Sequence, residues 1–356
     1  MSYRFLEYEL PKERIAQHPA VRSGERSDAQ LLYARRTDTL QIADLRVRDL
    51  PTLLRAGDLI VLNDSRVRPS RFFPQLPETT VSAEVLLLGG AAERWEALAR
   101  PMRKFKEGMV FALSANIEAR VLGRTSEGTR LLLELRALTS TPLEELIESE
   151  GAMPLPGYIR NGVAAQEDRD FYQTVFAREI GSVAAPTAGL HFTVPLLETL
   201  QGVGIAHCFL TLHVGLASFA PVRDLNAHQM ANERYVISPQ CIEAITQTKA
   251  RGGRVVVVGT TATRALESAA LAHPGLFDGS TSGAVAGATE LMITPGFTFQ
   301  VVDLLMTNFH QPFTTHLLLV AAFIGEQEIE RIYEHALAGS YRFLSYGDSM
   351  LLERGE

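Results

Sequence analysis

Three histidines of the chain share a setting. His191 closes the run "SVAAPTAGLH", His213 sits in "TLHVG" and His310 in "TNFHQP". Each ends a strand-like or turn segment beside glycine or proline. Imidazole changes charge near working pH, so it suits proton transfer. In open α/β sheets, ligands collect at the carboxyl ends of strands. One histidine is more often structural than catalytic, but three in equivalent positions point to a site. Asp64, closing "GDLIVLND", and Asp348, in "YRFLSYGD", are carboxylates for the same work. No His-x-x-x-His or His-Glu pair of metal-binding type occurs, so no metal is expected. G-x-S-x-G is absent, which disfavours Ser-His-Asp hydrolysis. Without G-x-G-x-x-G, a dinucleotide reading is weak.

An anion site is readable in "GGRVVVVGTTATR". Four valines between glycines fit a strand buried on both faces. The turn that follows opens a helix, whose first amides attract anions. Thr260, Thr261 and Arg264 have the chemistry to hold a carboxylate or phosphate there. The plainer reading is a strand–helix turn with hydroxyl caps. Two basic clusters add a second theme: Arg66, Arg68 and Arg71 in "RVRPSR", and Arg100, Arg103, Lys104 and Lys106 in "RPMRKFK". Each is either a solvated face or part of a phosphate-binding strip. Near the C-terminus, "YRFLSYGDSM" is too aromatic for a tail, so it docks on the core or on a ligand.

These residues need elements to position them. The chain has 356 residues, enough for two domains. Its 46% apolar content suits a folded core. Thirty-four basic against forty-one acidic residues give a net charge of -7, so a nucleic-acid partner needs a local basic patch. Two cysteines, Cys208 and Cys241, cannot make a disulfide framework or a four-ligand zinc site. They read as buried thiols of a reducing compartment. The start shows no secretory pattern. The run "LLLVAAFIG" is too short to span a bilayer. A cytoplasmic protein is expected, with no membrane contact.

From Ser65 to Gly151, short strand-like runs suggest a small β-barrel or sandwich. "TPLEELIESE" then starts a helix, with Thr141 as N-cap, Pro142 at the first position and Glu144 completing a capping box. Beyond it strand and helix alternate: "IAHCFLTLHVG", "SPQCIEAITQTKARGG" capped by Ser238, "RVVVVGTTATRALESAALA", "FQVVDLLMTNFH" and "EQEIERIYEHALAG". Alternation of this kind argues for a mixed α/β fold. The expected organisation is an α/β domain from residues 1–64 and 152–356, with a β-barrel domain inserted at 65–151.

The stretches "VLNDSRVRPSR", "PLPGYI", "YQTVFA", "GSVAAPTAGLHFT", "TLHVGL", "VVGTTATRALES", "PGFTFQVVD", "TNFH" and "YRFLSYGD" run in order along nearly the whole chain. Together they resemble the S-adenosylmethionine:tRNA ribosyltransferase-isomerase family of queuosine biosynthesis. The phrase around "APTAGLHFT" is the most specific. The resemblance implies a larger mixed α/β domain with an inserted small β-barrel. It also implies a reaction. The ribosyl part of S-adenosylmethionine moves to the aminomethyl group of 7-aminomethyl-7-deazaguanine (preQ1) at the tRNA wobble position. Epoxyqueuosine, adenine and methionine result. S-adenosylmethionine is then a consumed substrate, and no further cofactor is implied.

On that resemblance, His191, His213, His310, Asp64 and Asp348 are catalytic candidates, with roles unassigned among them. Pro186, Thr187 and Gly189 would let the backbone lie against S-adenosylmethionine, and Arg264 with Thr260 and Thr261 would hold the methionine carboxylate. Asn308, Arg342 and Tyr346 join the substrate-binding set. The two basic clusters would contact the anticodon arm of a tRNA, and the protein would act as a monomer. The family pattern has "GTFRPV", "MHSE" and "PPYI" where this chain has "ASFAPV", "MANE" and "PGYI". Ala220 thus replaces an arginine, and Ala231 a histidine. Retained activity is expected, with the lost donors peripheral or compensated by His316 or Arg234. The alternatives are a relative acting on a free small molecule and a non-catalytic RNA-binding module.

Overall fold

The fold is read from a computed structural model describing residues 3–19, 25–77, 83–215, 228–280 and 283–355. The chain divides into two units, Met1–Arg66 with Gln173–Glu356, and Val67–Tyr172. The first carries a nine-stranded sheet. In chain order its strands are β1 (Gln30–Arg36), β2 (Leu40–Arg46), β3 (Leu59–Asn63), β4 (Ala206–Leu212), β5 (Glu233–Ile237), β6 (Val255–Val258), β7 (Val285–Thr289), β8 (Leu304–Asn308) and β9 (Ser349–Glu353). Across the sheet they run β7-β5-β4-β3-β6-β8-β9-β1-β2.

The four middle strands, β4, β3, β6 and β8, are mutually parallel. Every residue of β3, β6 and β8 is buried, as parallel strands covered on both faces require. Antiparallel partners extend the sheet on either side, β5 with β7 beyond β4 and β9 beyond β8. The covering helices include α1 (Val194–Gly202), α2 (Pro239–Ala250), α3 (Thr260–Ala272), α4 (Thr315–Ile324) and α5 (Glu326–Ala338). Ser238 caps α2 as expected, its hydroxyl accepting from the Cys241 amide at 3.2 Å. The apolar run set aside as too short for a membrane is α4. Only two of its ten residues are not fully buried, so it needs no polar face. Among the described residues, no helix is long and apolar enough to cross a membrane. Cys208 and Cys241 are free thiols with their sulfurs 3.1 Å apart, and Cys208 is only partly buried.

The second unit holds a six-stranded antiparallel sheet. Its order is Arg71–Phe72, Glu84–Ala91, Arg94–Arg100, Leu131–Ala137, Ile117–Arg124, Val110–Ala112. Alternate side chains, Leu131, Leu133 and Leu135 among them, form its core with Trp95, Phe105 and Phe111. The two edge strands do not pair with each other, so the expected barrel stays open. The mixed α/β class with a β-rich insertion is nonetheless what the chain adopts.

Three local expectations differ. The helix after the β-rich run is Leu143–Glu150, with Pro142 at the cap position and no side-chain cap, so Thr141 does not cap it. Residues 152–172 stay with the second unit rather than returning to the first. Arg71 and Ala152 exchange backbone bonds of 3.1 and 2.8 Å, and Arg169 donates to the carbonyls of Glu148, Ser149 and Gly151. In "FQVVDLLMTNFH" only Leu304–Asn308 is strand. The amides of Gln300, Val301 and Val302 instead donate to the buried carboxylate of Glu267 at 2.8, 3.0 and 3.1 Å.

Glu267 therefore ties α3 to the segment that enters β8. Glutamine offers one acceptor oxygen and sets an N–H against donors. Glu267→Gln should lower stability by about 1–3 kcal/mol, read from the midpoint of urea unfolding. An unchanged midpoint would mean the tie contributes nothing.

Candidate functional site

The four parallel strands deliver their carboxyl ends to one edge. Asn63 ends β3, His213 follows β4, Gly259 follows β6, and Asn308 ends β8. Gly259 takes a φ of 92°, which an L side chain rarely adopts, and α3 starts at the next residue. A Cβ on Gly259 would also lie 3.7 Å from Ala188. Asn63 is the residue before Asp64 in "GDLIVLND". It is buried and stitches this edge together. Its Nδ2 donates to the Leu212 carbonyl at 3.0 Å and to Thr261 Oγ1 at 3.3 Å, while Oδ1 accepts from the amides of Ser65 and Leu212 at 3.1 Å each. It is a site-forming residue the sequence reading missed. Only the convergence of two distant strands reveals it.

His191 lies on the turn Thr187–His191 and is 4% exposed. Its Nε2 lies 3.3 Å from Asn308 Nδ2. The same amide nitrogen donates to the Asp348 carbonyl at 3.4 Å, and Asn308 Oδ1 accepts from Thr187 Oγ1 at 2.9 Å. A carbonyl can only accept, so the Asp348 contact fixes the amide's orientation. Nε2 must then accept, and the imidazole proton resides on Nδ1. Burial, then the charges of Arg342 and Arg26, push the pKa of His191 down to about 4. It is a neutral hydrogen-bond donor at neutral pH.

The small residues before His191 serve the chain's own packing. A Cβ on Gly189 would meet Thr174 Cγ2 at 3.0 Å and Phe176 Cζ at 3.1 Å, and Ala188 abuts the Gly259 turn. Pro186 is buried at the start of the same turn. At Gly189 what approaches closely is protein.

His310 and His316 form a second pair, their rings stacked at 5.2 Å and 17°. His310 Nε2 meets Thr307 Oγ1 at 2.9 Å. Its amide donates to the Tyr333 hydroxyl at 2.8 Å, and the Tyr8 hydroxyl donates to its carbonyl. Burial, with the neighbouring His316, holds the His310 pKa well below the usual value. Burial and Arg264 bring His316 to about 4. His316 lines a small, solvent-open cleft, with room for little more than a water molecule, that it shares with Thr260, Thr261, Arg264, Met230 and Met292. Arg264 does not stand ready for a ligand carboxylate. It forms a buried ion pair with Glu233, and its Nε donates to the Leu291 carbonyl at 2.9 Å. The guanidinium already has its carboxylate.

The remaining candidates divide. His213 packs on the edge, its Nδ1 2.6 Å from where a Cβ of Gly181 would stand, so glycine is required there. Burial, then Arg234, lowers its pKa. Asp64 accepts from Thr211 Oγ1 at 2.7 Å and pairs with Arg178 at 3.0 Å. Asp348 closes its own loop, accepting from the amides of Gln30 and Arg342 at 2.9 and 2.7 Å. That duty is structural, and it places Arg342, whose Nε lies 4.0 Å from the carboxylate. Tyr346 is buried in the same loop, which docks on the core. Arg71 pairs with Glu84 at 2.8 Å and donates to the Gly162 carbonyl at 2.6 Å, and Arg68 pairs with Glu144. Arg71 belongs to the internal bonding of the second unit, while the Arg68–Glu144 pair lies at its surface. Arg66 is half-buried and bonded. Arg100, Arg103 and Lys106 are exposed and Lys104 is half-buried. Ala220 lies outside the described residues. Ala231 adjoins Met230 on the cleft, which His316 also lines and Arg234 does not. Among the described residues, no group of three or more His, Cys, Asp or Glu is placed to hold a metal.

Comparison with known proteins covers the chain from end to end. Residues 3–352 match the family described as Queuosine biosynthesis protein. The chain is 45% identical over 360 residues to S-adenosylmethionine:tRNA ribosyltransferase-isomerase of Azoarcus sp. (strain BH72), covering 100% of this chain and 99% of that one. It is 46% identical over 354 residues to the protein of the same name from Dechloromonas aromatica (strain RCB), covering 98% and 96%. The crystal structure of an S-adenosylmethionine tRNA ribosyltransferase from Thermotoga maritima is similar at a TM-score of 0.55 and 32% identity, covering 98% of this chain and 99% of that one.

The buried imidazoles make stability depend on pH. Above the ordinary value of 6.5, folded and unfolded states both hold them neutral. Between 6.5 and about 4 the unfolded chain takes up protons that the fold excludes. Stability should fall as pH drops through that window, by about 1.4 kcal/mol per pH unit for each such group once it is fully engaged. His316→Gln should flatten the slope by one proton. Urea unfolding between pH 7 and pH 5 reads both, and equal slopes in the two proteins would place His316 in contact with water.

Proposed function

The chain belongs to the queuosine biosynthesis protein family, and from that premise we propose that it is an S-adenosylmethionine:tRNA ribosyltransferase-isomerase. It moves the ribosyl moiety of S-adenosylmethionine onto 7-aminomethyl-7-deazaguanine at the tRNA wobble position and isomerises it. Epoxyqueuosine-tRNA, adenine and methionine are released. The observation that carries this is the family match along residues 3–352. S-adenosylmethionine is consumed as a substrate, and the reaction as read needs no further cofactor. The protein works as a monomer in the cytoplasm, where its tRNA is.

The chemistry needs a proton removed from the ribose carbon beside the sulfonium, assistance to departing adenine, and donors that steady the opened sugar. His191 enters neutral, with Nε2 held by Asn308 and a proton on Nδ1. In that state it donates to charge that develops during the reaction, and Arg342 and Arg26 supply a positive field around it. His213 and His310 remain the candidates for proton uptake. The small cleft beside Thr260, Thr261 and His316 marks the border of the S-adenosylmethionine site, its apolar lining of Met230, Leu291, Met292 and Ile293 facing the uncharged part of the ligand. Arg264, neutralised by Glu233, shapes that wall instead of clamping a carboxylate. The second unit's Arg100, Arg103, Lys104 and Lys106 contact the anticodon arm. The wobble base leaves its stack to react.

Adenine release tests the reading. S-adenosylmethionine and tRNA carrying 7-aminomethyl-7-deazaguanine should yield free adenine and epoxyqueuosine, and unmodified tRNA neither. Adenine released independently of tRNA would point to a small-molecule acceptor. His191→Ala should slow turnover by about 100-fold or more in a variant that stays folded at a lower unfolding midpoint, since it leaves a cavity and the Asn308 donor unmet. Near-normal turnover would remove it from the mechanism. Arg103→Glu with Lys104→Glu should weaken tRNA binding and lower its salt dependence, leaving the KM for S-adenosylmethionine unchanged. An unaltered salt slope would place the RNA elsewhere.

A further inference from the structure

The loop after β8 presents an aromatic ring that packing does not explain. Phe313 is 45% exposed and has a φ of 54°. A bulky L-residue is strained there. Among the described residues, five non-glycines have positive φ: Ala92, Arg160, Asn161, Phe313 and Leu344. Leu344 is buried, so Phe313 alone among them exposes a large apolar side chain.

The surroundings hold the strained backbone in place. The Phe313 amide donates to the Leu6 carbonyl at 3.2 Å. Thr314 Oγ1 donates to the Gln311 carbonyl at 2.8 Å and caps α4 through the Leu317 amide at 3.4 Å. The Tyr8 hydroxyl bonds the His310 carbonyl three residues earlier. Strain kept by so many contacts marks a position selected for where it points the side chain. Phe313 is the residue before the helix cap, where an apolar side chain often staples the helix start. A staple covers its ring, and this one is substantially open.

The placement indicates what the ring meets. Phe313 shares a loop of a few residues with His310, and the loop begins at Asn308, which holds His191. Phe313 thus follows the carboxyl end of β8 by five residues, on the loop that leaves the edge carrying His310. Resting on the tRNA reading above, we propose that Phe313 is a stacking platform for the base next to the wobble nucleotide. A wobble base drawn into the site leaves its neighbour without a stacking partner. An exposed aromatic ring supplies one without reading sequence.

The test uses an anticodon-loop RNA with 2-aminopurine beside the wobble position, titrated with the full chain at low salt. Phe313→Leu keeps apolar bulk without a π-face, and Phe313→Tyr keeps the face. Leucine should raise the RNA Kd about tenfold, with fluorescence quenching lost. Tyrosine should stay within about twofold of the unmodified protein. The KM for S-adenosylmethionine should not change in either. A leucine variant that binds and quenches like the unmodified protein overturns the proposal. So does a thermal-stability loss in both variants with RNA affinity intact, which would make Phe313 a helix staple. If the unmodified protein itself fails to bind the RNA, the tRNA reading falls and this proposal with it. That outcome is distinct from binding that ignores residue 313.

Discussion

The carboxamide of Asn308 joins three pieces of chain that lie far apart in sequence. It accepts from Thr187, meets the ring of His191 and donates to the carbonyl of Asp348. Strand ends leave backbone and side-chain groups in need of partners, and burial makes each unmet group costly. Asn63 does the same work two strands away, binding Leu212 and Ser65 main chain and the Thr261 hydroxyl. Between them the Gly259 turn starts α3, and the Gly259 amide donates to the Met306 carbonyl of β8 at 2.8 Å. The site is thus a set of strand ends knitted by two asparagines. Of the histidines, His191 is oriented by one of these amides, that of Asn308.

Electrostatics follows from the same burial. His191, His310 and His316 are all shifted toward the neutral form, with burial the first cause in each. Positive charge is nevertheless close by, from Arg342 and Arg26 at His191 and from Arg264 at His316. Arg264 can be buried only because Glu233 accompanies it. Neutral imidazoles in a positive field favour negative charge that forms during a reaction, while binding no proton beforehand.

Much of this was legible in residue order. The buried run "RVVVVG", the capped helix after Ser238 and the alternation of strand and helix all follow from local patterning, so they survive any change of context. His213 and His310 each come directly after an apolar run, which in a parallel sheet means the carboxyl edge, whereas His191 is carried by the turn Thr187–His191. What residue order leaves out has one cause. Arg264, Asp348, Arg68 and Arg71 have internal partners, Glu233, the Gln30 amide, Glu144 and Glu84, that are separated from them in sequence. Charge in a sequence is visible one residue at a time, whereas neutralisation is a property of pairs. Asn63 was overlooked for the complementary reason: an asparagine before aspartate is a common turn, and nothing local says that two strands will close on it.

The sequence by itself therefore determined the class of fold and the family, since these depend on periodicity and on rare short phrases such as "APTAGLHFT". Tertiary structure decided which of the candidate side chains remain open to a ligand and which are bonded within the protein. It also decided the proton's place on His191 and the reason for glycine at 189, where Thr174 and Phe176 stand too near for a Cβ. Those outcomes hang on distances of about 3 Å between residues up to hundreds of positions apart, at which a hydrogen bond either forms or does not. No local pattern encodes such a distance, because it exists only once the strands have paired.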